Sequence, residues 1–396
     1  MSNSAGSLGK GIALKLRRLS LLRTRRAMVA VPPAVAPPIS SVTIIVPARN
    51  EERGIEACVR SLVDQSYANY DVVVVDDGSE DATPAILQRL AAESPRLRVM
   101  RAPSLPPSWV GQTWAWQTGA GQATGEWLLF TDADTEHEPG MLAAVIAFAE
   151  SRGLDMLSLI TAQTLGSWGE RIVLPAIFIV SLQTGGSLEE ANDPQSPVAM
   201  ANGQFILIRR AVYETAGGFG MIRGEVLNDG ALARLIKGHG YRIMLADGRH
   251  WVRTRMYHSL GEIWRGFSKN AFFAVKQSLA KVLIGAALLL GLSLGPFILA
   301  GLAVAWLVTG TGNFWAWLAL LFGGLGIVWQ MVRGVGMAYS MRISLGYGLL
   351  HPLGLIILAG ILLNSAFLIL SGRGVTWKGR GYHGQRATAE RSAPDR

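Results

Sequence analysis

The feature that most constrains this chain is a run of 51 consecutive uncharged residues between Lys281 and Arg333, which a second uncharged run follows after Arg342. Within these runs, three segments are each long enough to cross the roughly 30 Å hydrocarbon core of a bilayer: 282–308, 314–332 and 349–370. Helices of soluble proteins seldom exceed about 14 residues without a polar face. The sequence therefore predicts a transmembrane region over residues 276–372.

The net charge of +9 lies at the two ends of the chain. Residues 1–26 hold seven basic and no acidic residues, and residues 371–396 hold six basic and two acidic ones. The remaining body has 24 basic and 26 acidic residues, so its charge excludes a nucleic-acid partner. Terminal basic segments suit an anionic membrane surface, at about 1 kcal/mol per well-placed Lys or Arg. We predict a basic arm over 1–40, either amphipathic or disordered, and a basic tail over 373–396.

The arginines around the second loop predict the orientation in the membrane. Arg333 and Arg342 flank that loop, and the positive-inside rule places it in the cytoplasm. The large N-terminal part then also faces the cytoplasm, where the lone Cys58 meets a reducing environment. We therefore predict a multi-pass protein of the inner (plasma) membrane. Three crossings would export the basic tail, so either the tail breaks the rule or one segment, interrupted at His351-Pro352, does not cross.

Residues 41–131 alternate between strand and helix patterns. Four apolar, β-branched or aromatic runs predict buried strands: 41–47, 71–76, 98–101 and 127–131. Helical spacing predicts helices at 51–65 and 82–92. This alternation is typical of an α/β fold with a mostly parallel sheet, in which ligands bind beyond the carboxyl ends of the strands.

Polar motifs follow these strands directly. They are Pro47-Ala-Arg49-Asn-Glu51 after the first, Asp76-Asp77-Gly-Ser after the second and Thr-Asp132-Ala-Asp134 after the fourth. Carboxylate oxygens suit hard cations such as Mg²⁺ or Mn²⁺, which also bind substrate phosphates. Each motif alone is compatible with a solvated turn. Their combination is far more specific.

The order and spacing of the three motifs resemble the family 2 glycosyltransferases, which have the GT-A fold. The resemblance covers roughly 41–270, implies a GT-A catalytic domain over 41–275, and implies a nucleotide-sugar donor. It implies that Pro47, Arg49 and Glu51 line the nucleotide pocket and that Asp76 and Asp77 meet the base and the ribose. Asp132 and Asp134 would then hold Mg²⁺ or Mn²⁺ on the donor diphosphate.

The resemblance also implies a catalytic residue. Asp229 stands where such enzymes place a general base for an acceptor hydroxyl, and direct attack would invert the anomeric carbon. The preceding position, commonly acidic in the family, is Asn228 here, and a loop position that often carries lysine is Gln112. The alternative for Asp229 is a helix N-cap. Gly203 belongs to a segment that in related enzymes backs the donor sugar.

Several basic residues precede the first apolar segment. Arg255, Arg265 and Lys269 either contact the diphosphate or lie at the membrane surface. The Gln-x-x-Arg-Trp motif of processive relatives is absent, which favours transfer of a single sugar. The apolar stretch Ile172–Leu182 is too short to span and predicts a core or an interfacial helix.

Membrane spans beside such a domain imply a lipid acceptor, isoprenoid-derived or glycerolipid. The layout is similar to bacterial hopene-associated and carotenoid-linked glycosyltransferases, and the tail segment Val375-Thr-Trp377-Lys378-Gly-Arg380-Gly-Tyr382 resembles the ending of several of them. We expect a metal-dependent, inverting glycosyltransferase. Two alternatives are a polyprenyl-phosphate sugar synthase and a non-catalytic GT-A scaffold or transporter component.

Overall fold

A computed structural model of the chain describes residues 28–35, 38–184, 186–310 and 312–382. Most of the predicted basic arm, and the tail beyond residue 382, lie outside the described residues. The described residues belong to two compact units. We call them the sheet unit (28–164, 186–256 and 378–382) and the helical unit (165–184 and 257–377).

The strands are numbered in chain order, and all but β11 belong to the sheet unit. They are β1 (Val42–Ala48), β2 (Tyr70–Asp76), β3 (Leu97–Arg101), β4 (Trp127–Phe130), β5 (Thr135–His137), β6 (Met156–Ile160), β7 (Ala162–Gln163), β8 (Ile206–Arg209), β9 (Ile243–Asp247), β10 (Val252–Thr254), β11 (Val375–Trp377) and β12 (Arg380–Tyr382).

The α-helices are numbered in the same way. They are α1 (Ile55–Val63), α2 (Thr83–Glu93), α3 (Gly111–Ala120), α4 (Met141–Ser151), α5 (Trp168–Thr184), α6 (Leu188–Asn192), α7 (Arg210–Thr215), α8 (Asn228–Gly238), α9 (Leu260–Ala274), α10 (Leu279–Val308), α11 (Phe314–Ser340) and α12 (His351–Leu370). Two 3₁₀ turns lie at Gly218–Ile222 and Leu345–Leu350. Helices α5 and α9–α12 belong to the helical unit.

A seven-stranded sheet, in the order β3-β2-β1-β4-β8-β6-β9, forms the centre of the sheet unit. Alternate residues of its strands are buried on opposite faces. On β4, Trp127 and Leu129 pack into one apolar cluster with α4, whereas Leu128 and Phe130 pack into another with Trp116 of α3. Burial on both faces explains why these strands are continuous apolar runs without a polar alternation.

The predicted α/β fold with a mostly parallel sheet is confirmed. Strand β1 runs parallel to β2 and β4, and β2 runs parallel to β3. Strand β8 is the exception, because it runs antiparallel to both β4 and β6. A second sheet, β5-β10-β7, lies beside the first in the sheet unit. Part of the predicted arm also joins the sheet unit, since Ala30 forms an isolated bridge with Asp247.

The helical unit contains three helices long and apolar enough to cross a membrane. Helix α10 matches the first predicted segment closely, and α12 the third. Helix α11 continues past the predicted end of the second segment at residue 332 to Ser340, and Arg333 is buried within it. The helix packs closely at this point, because a Cβ at Gly334 would clash with the carbonyl oxygen of Gly348.

The predicted helix at Ile172–Leu182 is α5, with Pro175 inside it. Ile172 and the following Val173 and Leu174 are buried, and a Cβ at Gly354 of α12 would meet the Ile172 carbonyl at 2.6 Å. Trp168 at its start is exposed. One side of α5 is therefore a packed core surface of the helical unit.

Candidate active site

The parallel strands bring the three motifs to one edge of the central sheet. Ala48 of β1 pairs with Asp76 of β2, so the residues that follow these strands begin side by side. Strand β4 runs parallel to β1 on its other side and ends at Phe130, one residue before the Thr-Asp-Ala-Asp motif. The segments after β1, β2 and β4 therefore meet at the carboxyl edge, where open α/β sheets bind ligands.

Arg49 ties the first motif to the Asp-Asp motif. Its Nη1 donates hydrogen bonds to the carbonyl oxygens of Asp77 (2.5 Å) and Gly78 (3.2 Å). The backbone N–H of Asp77 donates to the carbonyl of Ala48 at 2.8 Å, and Asp76 Oδ1 accepts from the N–H of Ser79 at 2.9 Å. These bonds hold a turn in which Gly78 has φ +74°, a conformation that favours glycine.

The first motif is also held from the other side of this turn. Asn50, at φ 52°, donates its N–H to Ser79 Oγ and accepts a bond from the N–H of Glu80. The N–H of Glu51 donates to Thr83 Oγ1 at 2.8 Å, at the start of α2. Pro47 lies within β1. Helix α1 therefore begins only at Ile55, later than the spacing predicted, because residues 49–51 serve these loop contacts.

Three carboxylates come together beside these loops: Glu51, Asp132 and Asp134. Burial raises the pKa of Asp132 well above its ordinary value, and the negative charges of Asp134 and Glu51 raise it further. Burial and Asp134 likewise raise the pKa of Glu51, to about 7, against the opposing effect of Lys378. Burial and mutual repulsion therefore disfavour the ionised forms of Asp132 and Glu51, and a nearby positive charge favours them.

Each aspartate of the Asp-x-Asp motif has a fixed partner. Gln112 Nε2 donates to Asp132 Oδ1 at 2.7 Å, and Thr254 Oγ1 donates to Asp134 Oδ1 at 3.2 Å. Asn228 Nδ2 in turn donates to Gln112 Oε1 at 3.1 Å. Gln112 thus links the acidic motif to the start of α8.

The donor chemistry of the motif fits a divalent cation. Among the described residues no group of three or more His, Cys, Asp or Glu side chains could hold a metal alone. Mg²⁺, however, usually takes only one or two carboxylates and completes its shell with water and substrate phosphates. Burial and the neighbouring carboxylates raise the pKa of Asp132, and a bound cation would relieve the repulsion between these carboxylates. Asp132 and Asp134 are the residues that would hold it.

Asp229 lies in the first turn of α8, one residue inside the helix and not at its N-cap. Its Oδ1 accepts from the N–H of Gly230 (2.7 Å), and its Oδ2 accepts from the N–H of Gly203 (3.2 Å). Gly203 belongs to the turn between Asn202 and Phe205, just before β8. Burial raises the pKa of Asp229, and these two N–H bonds oppose the rise.

The three predicted basic contacts have different surroundings. The backbone N–H of Arg255 donates to the carbonyl of Asp134 at 3.2 Å, which places Arg255 directly beside the acidic motif. Arg265 and Lys269 belong to α9 of the helical unit. Their contact with a diphosphate stays a prediction.

Three contacts of this site were not predicted from the sequence. They join Thr254 to Asp134, Asn228 to Gln112, and Lys378 to Glu51. The first two partners are more than 100 positions apart in the chain and the last are 327 apart. No local pattern marks such pairs. The only indication in the sequence was the resemblance of the tail segment around Lys378 to the ending of related enzymes.

Comparison with known proteins agrees with this architecture. Residues 43–217 match Glycosyl transferase family 2. The chain is 23% identical over 221 residues to the 4,4'-diaponeurosporenoate glycosyltransferase of Staphylococcus haemolyticus, covering 55% of this chain and 57% of the relative. It is 36% identical over 107 residues to the beta-monoglucosyldiacylglycerol synthase of Trichormus variabilis, covering 26% and 22%. The chain thus spans less than two thirds of either relative.

Among solved structures, the chain is similar to the mannosyltransferase PcManGT from Pyrobaculum calidifontis, solved with GDP-Man and Mn²⁺. The TM-score is 0.48 at 18% identity, over 91% of this chain and 96% of that one. The family match covers β1 to the end of α7, and it includes the Arg-Asn-Glu, Asp-Asp and Asp-x-Asp segments that meet at the sheet edge. This chain therefore carries a family 2 glycosyltransferase domain over residues 43–217.

Proposed function

We propose that this protein is a membrane-bound, inverting glycosyltransferase. It transfers a single sugar from a nucleotide-sugar donor to a lipid acceptor and uses Mg²⁺ or Mn²⁺. The observation that carries the proposal is the meeting of the three family motifs at the carboxyl edge of the sheet, next to Asp229. Three long apolar helices and two relatives named for lipids support a lipid acceptor.

The donor site has two parts. The loop held by Arg49, with Asp76 and Asp77, is proposed to take the nucleoside, and Asp132 and Asp134 to face the diphosphate. A bound Mg²⁺ or Mn²⁺ would neutralise negative charge that grows on the departing diphosphate. Pre-set charges of this kind contribute most when they are aimed at charge that develops in the transition state.

Asp229 is proposed as the general base. An acceptor hydroxyl attacks the anomeric carbon, its proton moves to the Asp229 carboxylate, and the bond to the diphosphate oxygen breaks with its electron pair leaving on the phosphate. The N–H groups of Gly203 and Gly230 fix the two carboxylate oxygens in place. Attack opposite to the leaving group inverts the configuration. A raised pKa makes this carboxylate a stronger base than a solvated aspartate.

The localisation proposal is an inner-membrane protein with the sheet unit in the cytoplasm. The arginines at 333 and 342 support it through the positive-inside rule. Nucleotide sugars are cytoplasmic metabolites, so the donor site and the predicted orientation are consistent. Labelling of single cysteines introduced at Thr309 and Ser344, on opposite loops, with a membrane-impermeant reagent tests this: we expect reaction from outside only at Thr309.

The variant Asp134→Ala tests the whole proposal. We expect it to abolish both Mn²⁺-dependent turnover of a nucleotide sugar and sugar transfer to extracted lipid, whereas Asp64→Ala, at an exposed aspartate, leaves both unchanged. Transfer at the wild-type rate by Asp134→Ala would refute the proposal. Mass spectrometry of lipids from cells with and without the gene then identifies the sugar and the acceptor.

The variant Asp229→Asn tests the nucleophile. A hydroxyl acceptor needs the base, so we expect the rate to fall by about 10²–10⁴. Because burial raises the pKa of Asp229, we expect its protonation to reduce wild-type activity above the pH at which an ordinary aspartate titrates, and the variant lacks this contribution to the acidic limb. A near-normal rate would instead favour a phosphate nucleophile, as in a polyprenyl-phosphate sugar synthase.

A further inference from the structure

One cation reaches the carboxylate cluster from the far end of the chain. The Lys378 ammonium group forms an ion pair with Oε1 of Glu51, although 327 positions separate the two residues. The side chains are 28% and 18% exposed, so the pair is largely shielded from solvent. Lys378 also lowers the pKa of Asp132, which places its charge within electrostatic reach of the Asp-x-Asp motif.

The backbone fixes where this lysine lies. Lys378 and Gly379 have φ angles of 48° and 79°, which a two-residue turn of the type I′ kind requires at both positions. The Nε of Arg49 donates to the Lys378 carbonyl at 2.8 Å, while the same guanidinium binds the carbonyl of Asp77. Lys378 is thus held beside the proposed nucleotide loop by its backbone, independently of its side chain.

The positive charge of Lys378 favours the ionised forms of the nearby acids Glu51 and Asp132. Glu51, Asp132 and Asp134 are three acids in one place, and a donor diphosphate adds further negative charge. A divalent cation on the two aspartates offsets part of this repulsion. An ammonium group is a compact charge with three donors on a flexible stem, and it binds phosphate well.

We propose that Lys378 is a donor-binding residue whose ammonium group, paired with Glu51 in the free protein, contacts the diphosphate of the nucleotide sugar. The proposal rests on the proposed function and adds to it a residue outside residues 43–217. The simpler alternative is that Lys378 only neutralises Glu51 and ties the tail to the sheet unit. The two differ in what they predict for the phosphate part of the ligand.

The test compares Lys378→Met with Lys378→Arg in the full-length protein in detergent with Mn²⁺. The matched control is Lys276→Met, because Lys276 is exposed and has nearly the same left-handed backbone (φ 55°). The probes are UDP and GDP, and their nucleosides uridine and guanosine, in equilibrium binding titrations. Thermal unfolding of each variant verifies that it is folded.

We expect Lys378→Met to weaken binding of the preferred nucleoside diphosphate about tenfold or more, the usual effect of losing a charge-assisted hydrogen bond. Binding of the matching nucleoside stays unchanged, Lys378→Arg recovers most of the affinity, and the control binds like the wild type. Equal losses for nucleoside and diphosphate, or no loss at all, would overturn the assignment. If Lys378→Met fails to fold, a wild-type affinity in Lys378→Gln overturns it and a selective loss there upholds it.

This outcome is separable from failure of the proposed function. A wild-type protein that binds neither UDP nor GDP contradicts the donor site itself. A wild-type protein that binds one of them, with Lys378→Met equally competent, contradicts only the role of Lys378.

Discussion

His137 provides a test of the folded structure that needs no knowledge of the substrates. It lies on β5 directly after the Asp-x-Asp motif and is 5% exposed. Its Nε2 is 3.0 Å from Thr135 Oγ1 and 3.3 Å from Thr131 Oγ1, and its buried Nδ1 has no hydrogen-bond partner among the described residues. Burial lowers the pKa of His137 to about 3.

The sign and size of the pH effect follow from this shift. The unfolded chain takes up a proton below a pKa of about 6.5, whereas the folded state keeps the imidazole neutral down to about 3. The contribution of the buried, neutral His137 imidazole to the free energy of unfolding is therefore fully present above pH 6.5 and is lost as the pH falls. The loss is about 1.4 kcal/mol per pH unit, or about 2 kcal/mol at pH 5.

The assay is urea unfolding of the full chain in detergent, followed by tryptophan fluorescence, at pH 7.5 and pH 5. Trp116 and Trp127 are fully buried and report on the sheet unit. We expect the free energy of unfolding of the wild type to fall by about 2 kcal/mol more than that of His137→Gln. The exposed-histidine variant His239→Gln should behave like the wild type. Parallel pH dependences for wild type and His137→Gln would refute the burial argument.

Two other substitutions probe packing and the acidic motif. A Cβ at Gly125 would lie 2.5 Å from the backbone N of Thr43, so Gly125→Ala should lower the free energy of unfolding by about 1–3 kcal/mol, measured by urea unfolding. Gly121→Ala is the control, because its Cβ meets nothing closer than 3.5 Å, and an equal effect would contradict the steric argument. Gln112→Leu removes the hydrogen-bond donor to Asp132. It should weaken Mn²⁺ binding in the presence of nucleotide about tenfold, which is a common effect of losing a hydrogen-bond partner of a metal ligand. Unchanged Mn²⁺ affinity by electron paramagnetic resonance would contradict it.

Sequence patterns predicted the strands well because buried parallel strands are short apolar runs. The predicted strand at 71–76 corresponds to Tyr70–Asp76, and the one at 127–131 to Trp127–Phe130. The antiparallel direction of β8 could not be predicted, because strand direction depends on the connection and not on composition. Helix α11 is longer than the predicted segment, which ended before the first charged residue, Arg333, whereas the helix continues to Ser340.

The parts of the site formed by short motifs next to the strands could be predicted from the sequence. Asp76-Asp77 and Asp132-Ala-Asp134 follow strands directly, and parallel pairing is enough to bring them to one edge. The contact between Lys378 and Glu51 depends on a turn at the far end of the chain. Such long-range pairs leave no periodic or compositional trace in a single sequence.

Two departures from the family pattern turn out to be hydrogen-bond partners. Gln112 stands where a lysine is frequent and Asn228 where an acid is common, and Asn228 Nδ2 donates to Gln112 Oε1 at 3.1 Å. A lysine and a carboxylate at these positions would attract each other, and the two amides make a neutral link in the same place. Because Gln112 also donates to Asp132, this link connects Asn228 to the acidic motif.

A double-mutant cycle tests whether the two departures compensate. Asn228→Asp alone adds a carboxylate near a cluster that already raises the pKa of Asp132, so it should destabilise the fold. Adding Gln112→Lys supplies the opposite charge and should recover most of that loss. We expect a coupling free energy of about 1–3 kcal/mol from urea unfolding, within the range for contacting side chains. If the two single-variant changes in the free energy of unfolding add up to that of the double variant within about 0.5 kcal/mol, the two positions do not compensate each other.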